Sequence, residues 1–163
     1  MLINLAAQVF IGIPLELVYS GKAILLYCGG VVSGALLSAA LDGEVFLAGA
    51  AGGVFAIVIS HLLTLIVFYD QMEFVIPRVV FVSAFAAADF VVAVFQRHYT
   101  NRIDRVSFMG HIGGMVAGIL LTFVLLSGQR KRRWQIFSFW ASIVAYAFFV
   151  IICFILAFYP EAF

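Results

Sequence analysis

The chain has 163 residues, 66% of them hydrophobic and 10% charged, with a net charge of +1 and a mean hydropathy of +1.19. A water-soluble domain of this length cannot bury so much apolar surface, and without a basic excess nothing points to a nucleic-acid partner. The apolar runs last about 20 residues, as helices need to cross a hydrocarbon core of about 30 Å, where a membrane barrel would alternate over segments of about 10. The fold class is therefore an all-α polytopic membrane protein, with the lipid bilayer as its solvent.

The first span is expected over about 1–18. Asn4 and Gln8 lie one turn apart on one face, and Gly12, Pro14 and Glu16 are expected to close the span. Polar side chains at this depth face protein or water. The simplest role for these two is interhelical hydrogen bonding, worth about 0.6 kcal/mol per pair. A connection over 19–22 leads to a second span over 23–41, whose Gly29, Gly30, Ser33 and Gly34 form a small-residue stripe suited to helix packing. Asp42-Gly43-Glu44 reads as a turn. The third span, about 45–69, carries Gly49-Ala50-Ala51-Gly52-Gly53 near its start and His61 further on, read as a hydrogen-bonded core residue.

After a loop over 70–73, the fourth span covers about 74–95 and contains Asp89. A carboxylate at depth costs on the order of 2.5–3.5 kcal/mol, so Asp89 is expected near a span end, protonated or paired. The longest polar stretch, 96–105, precedes a fifth span over about 106–127 with His111 and the small-residue series Gly110, Gly113, Gly114 and Gly118. Arg130-Lys131-Arg132-Arg133 then leads to a sixth span, about 134–159, with Trp134, Trp140 and Tyr159 as candidate interface anchors. Cys28 and Cys153 fall inside spans and read as small packing residues. No metal-ligand spacing or cofactor motif occurs, so neither a metal nor a cofactor is expected.

Lys22, Arg78 and the four basic residues of 130–133 fall on one side of the membrane, six in all; Arg97, Arg102 and Arg105 make three on the other. The positive-inside rule then makes the 128–133 loop cytoplasmic. Ala51 and His111 each sit about six residues into a span that starts on the opposite side, at a depth of about 9 Å for a rise of about 1.5 Å per residue. Gly110, Gly114 and Gly118 recur every four residues and can dock against Gly49, Gly52 and Gly53. Docking would bring position 51 beside His111, with Asn4 of the first span nearby. A nucleophile, a base and an amide donor in that arrangement are the parts of a serine hydrolase. Plain small-xxx-small packing would produce the same spacing.

Four motifs in order resemble the rhomboid family of intramembrane serine proteases, above all its eukaryotic rhomboid-related branch. The run from Asn4 to Val18, with Gln8, Gly12 and Pro14-Leu15-Glu16, resembles the segment after the family's H-x-x-x-N motif. Residues 44–56 resemble the segment around its G-x-S-G nucleophile, Ala88-Asp89 with Ala93 its next span, and His111-Ile112-Gly113-Gly114 with Gly118 its H-x-x-G-x-x-x-G base helix. The resemblance implies a rhomboid-like helical bundle with six spans present and the family's first span missing. The core would occupy 1–127, and a basic loop with an additional helix 128–163. It implies a Ser–His dyad, an oxyanion donor at Asn4, and substrates that are transmembrane helices of single-pass membrane proteins.

The departures decide the activity. The nucleophile position holds Ala51, whose methyl group cannot attack a carbonyl. Ser60 lies nine residues further on and Ser107 one turn before His111, so neither is placed to substitute. The histidine of H-x-x-x-N would precede Met1, and Tyr19-Ser20 stands where many relatives have His-Gly. The expected function is that of a pseudoprotease binding client transmembrane segments in an endomembrane or the plasma membrane. The alternative is an active intramembrane serine protease, were Ala51 a variant position or this chain one form of an active parent.

Overall fold

A computed structural model describes residues 2–42, 49–99, 107–127 and 133–158, all helices and short connections. The first helix is built from α1 (Leu2–Ala7), a π-helical turn (Gln8–Gly12) and α2 (Ile13–Tyr19), which follow one another without a break in helical backbone angles. Then come α3 (Ala23–Leu41), α4 (Gly49–Val67), a 3₁₀ turn (Tyr69–Gln71), α5 (Val75–Tyr99), α6 (Met109–Ser127) and α7 (Arg133–Phe158). Among the described residues, α3 to α7 each contain a stretch long and apolar enough to cross a membrane, and Asn4–Tyr19 is a shorter apolar helix. The protein is a multi-pass integral membrane protein.

The first helix ends at Tyr19, within a residue of the expected 18, though not by the expected means, and the fourth span runs longer than expected. Gly12, Pro14 and Glu16 do not close the first helix. Pro14 has no N–H and its ring crowds the carbonyl four residues back, so the preceding turn widens to π geometry instead of breaking. The helix is stopped by Ser20, which takes a left-handed conformation with φ 45°. The fourth span does not stop at Phe95: α5 continues through Tyr99, because Gln96 to Tyr99 are polar without being helix breakers. The turn at 43–44, the motif residues 44–48, the loop residues 100–106, the basic run 130–132 and Tyr159 lie outside the described residues.

The centre of the molecule is α4, where every residue from Ala51 to Val58 is buried. Around it α3, α4 and α6 pack backbone against backbone. A Cβ at Gly34 would lie 2.6 Å from the Gly110 carbonyl oxygen, one at Gly52 2.6 Å from the Gly30 oxygen, and one at Gly118 2.8 Å from the Ala56 oxygen. A Cβ at Gly114 would collide with the carbonyl of Gly52. These contacts set the register. Gly52 faces Gly114 and Ala56 faces Gly118, so α4 and α6 run parallel; Gly30 faces Ala56 and Gly34 faces Gly52, so α3 runs antiparallel to both. In lipid there is little hydrophobic drive between helices, so this close van der Waals contact holds the bundle.

The first helix buries one stripe, Ala7, Ile11, Leu15 and Tyr19, against Leu26 of α3 and Val54, Ile57 and Val58 of α4. Polar pairs pin it at both ends. Gln8 Nε2 donates to the Tyr27 hydroxyl at 3.0 Å, and the Tyr19 hydroxyl lies 2.8 Å from Thr64 Oγ1. The expected role of Gln8 as an interhelical hydrogen-bonder is therefore met. On the opposite flank, α7 is tied to α3 through Tyr146, whose hydroxyl donates to the Gly29 carbonyl and accepts from Ser33 Oγ, both at 3.1 Å.

Candidate functional site

The glycine contacts bring the starts of α4 and α6 together, and Ala51 and His111 each lie within the first turn of these helices. Both are 4% exposed. The His111 ring stands edge-on to Phe55, with centroids 4.4 Å apart, and Phe55 follows Ala51 by one turn on the same face of α4. Of the glycines expected at this junction, Gly52, Gly110, Gly114 and Gly118 lie in it. Gly53 does not face α6: a Cβ there would meet the Tyr27 ring at 2.5 Å and Val31 at 2.8 Å, both on α3. Gly49 is exposed, and among the described residues nothing lies within 4 Å of a Cβ placed on it, so it takes no part in their packing. The expected two-helix seam is in fact a three-helix one. Helix α3 inserts its own small residues, and Gly113 packs on Ser33 and Gly34 of that helix.

Among the described residues His111 has one polar partner, and it comes from α5. Asp89 Oδ2 lies 3.4 Å from His111 Nε2, with the two side chains 14% and 5% exposed. Phe90, the next residue, stands edge-on to both His111 and Phe108, with centroids 6.3 Å apart in each case. The other ring nitrogen, Nδ1, is buried without a hydrogen-bond partner. Among the described residues the hydroxyls of Ser60 and Ser107 are likewise buried and unpartnered, so neither serine is bonded to the histidine. Asn4 is half-buried on α1 and makes no hydrogen bond to the His111 ring. His61 is partly buried on α4, away from this cluster. Among the described residues no group of histidine, cysteine and carboxylate side chains could hold a metal ion.

Sequence reasoning left the partner of Asp89 open. Its signal was present: Asp89 lies six residues before the expected span end at Phe95, the depth at which His111 enters the next span. A half-buried carboxylate and a buried imidazole at one depth on successive helices satisfy each other's need for a partner. Chemically, the cluster holds a base-capable ring, an orienting carboxylate and a water-poor aromatic wall. One turn before Phe55, on the same face of α4, Ala51 offers a methyl group and no oxygen.

The model of the rhomboid domain matches residues 1–128. Inactive rhomboid-related protein 2 of Caenorhabditis elegans is 45% identical over 153 residues, covering 94% of this chain and 44% of that protein. Rhomboid-related protein 1 of the same organism is 35% identical, covering 80% of this chain and 37% of the relative. Rhomboid-related protein 2 of Mus musculus is 34% identical, covering 88% and 49%. The chain thus spans less than half the length of these relatives. No solved structure matches it.

Proposed function

The chain belongs to the rhomboid family, and on that premise we propose that it is a catalytically inactive rhomboid that holds transmembrane segments of single-pass client proteins. The observation that carries the reading is Ala51. It stands at the family's nucleophile position by motif, on the face of α4 that meets the buried His111, while among the described residues neither Ser60 nor Ser107 is bonded to that histidine. Losing the nucleophile removes all but the residual rate supplied by binding and an oxyanion hole. The inactive relative among those matched supports the same reading. The retained bundle would present an intramembrane surface to client helices, with the 128–133 connection in the cytoplasm, the site toward the opposite side, and 128–163 an addition to the 1–127 core.

Affinity capture from membranes tests the binding role. Single-pass clients are expected to be recovered equally with the native chain and with Ala51→Ser; recovery of no membrane client would sink the proposal. A model transmembrane substrate tests the inactivity. The native chain is expected to leave it intact, and cleavage by the native chain, lost in His111→Ala, would establish an active protease instead.

A further inference from the structure

Helix α5 is loosely held in the bundle. Only 11% of its spanning stretch is buried, against 61% for α4, and its extended packing is against α4 alone. Val82 and Ala93 are among its few fully buried residues. Yet Asp89 and Phe90, adjacent on this helix, both reach His111, and Phe90 also reaches Phe108 just before α6. Asp89 thus gives α5 a polar attachment to α6 in a helix otherwise held by sparse apolar contact.

We propose that His111 and Asp89 form a latch that fastens α5 over the cluster. The inference rests on the reading of the chain as inactive: with no hydroxyl to activate, the buried ring is free to serve as a strut. The Nε2 edge of the ring faces the carboxylate at 3.4 Å, while Nδ1 meets no hydrogen-bond partner among the described residues. The aromatic edges of Phe55 and Phe90 hold the ring in that orientation. Breaking the pair leaves one polar group buried alone in an apolar setting, which favours separation of α5 from α6.

Thiol labelling of the full chain, purified in detergent without any client, tests the latch. Ala93→Cys, in a Cys28→Ser background, places a probe on α5 one turn after Asp89, where the native residue is 5% exposed. The native Cys153 of α7, 2% exposed, reports whether the bundle as a whole stays folded. Asp89→Leu removes the carboxylate, and His111→Phe keeps the ring but removes both nitrogens. Each is expected to raise the labelling rate at position 93 roughly ten-fold, with the double variant no faster than either single, as for two residues acting as one contact. Cys153 is expected to stay slow throughout. Unchanged labelling at 93 in the single variants, effects that multiply in the double, or equal acceleration at Cys153 would each overturn the latch. A working latch in a chain that captures no client would refute the client-binding role alone.

Discussion

At the residue scale, backbone conformation marks two positions where small changes have opposite signs. Ser20 ends the first helix at φ 45° and Gly21 follows at φ 78°, its N–H donating to Glu16 Oε1 at 2.6 Å. A left-handed residue costs a Cβ-bearing side chain on the order of 1 kcal/mol. Ser20→Gly is therefore expected to stabilise the protein by about 1 kcal/mol, and Gly21→Ala to destabilise it by about as much. Thermal unfolding in detergent reads both, and a Ser20→Gly variant with a lowered Tm would contradict the account. The glycines of the seam make a sharper contrast. Gly114→Ala drives a methyl into the Gly52 carbonyl, whereas Gly49→Ala meets nothing described. The first is expected to cost about 3 kcal/mol or more, since backbone atoms cannot step aside, and the second to lie within about 0.5 kcal/mol of native. Equal Tm values for the two would mean that the three-helix seam does not carry the bundle.

At the element scale, α7 is attached differently from the seam helices, by side chains instead of bare backbone. Tyr146 bridges to Gly29 and Ser33, so Tyr146→Phe is expected to lose about 1 kcal/mol by removing both hydrogen bonds, with an unchanged Tm as the contrary result. The helices themselves were legible because a span must be about 20 apolar residues whatever it packs against. Their mutual arrangement was legible only in part. Small residues in α3, α4 and α6 announced close approach, but a small-residue stripe carries no address. The seam between Gly52 and Gly114 was expected, yet the insertion of Gly30, Ser33 and Gly34 into it, and the turning of Gly53 toward Tyr27, were not. The site followed the same pattern. Ala51 and His111 stood out through their motifs, whereas the pairing of Asp89 with His111 depends on how far α5 leans toward α6, and that lean is set by packing outside either motif. The π turn at Gln8–Gly12 was hidden because Pro14 alone does not say whether a helix breaks or widens.

At the scale of the whole molecule, cohesion is unevenly spread. Buried surface concentrates in α4, with 61% of its span enclosed, and in α6, with 39%; it falls to 28% in α3 and 11% in both α5 and α7. The outward faces carry large apolar side chains such as Phe81, Phe137, Trp140 and Phe148, which meet lipid tails and gain little from the protein. Local opening should therefore follow the seam. Where few contacts are lost, a helix separates at a free energy well below that of global unfolding. Native-state hydrogen exchange in micelles is expected to show the middle of α4 and the facing turns of α3 and α6 exchanging only through the global transition. The amides of α5 are expected to exchange through a separate opening, lower by about 2 kcal/mol or more. Asp89→Leu should lower that opening further while leaving α4 unchanged, because the pair it breaks belongs to α5 and α6 and not to the glycine seam. Protection of α5 equal to that of α4, or a drop in α4 when Asp89 is replaced, would show instead that the bundle opens as one unit and that α5 has no independence with which to admit a client helix.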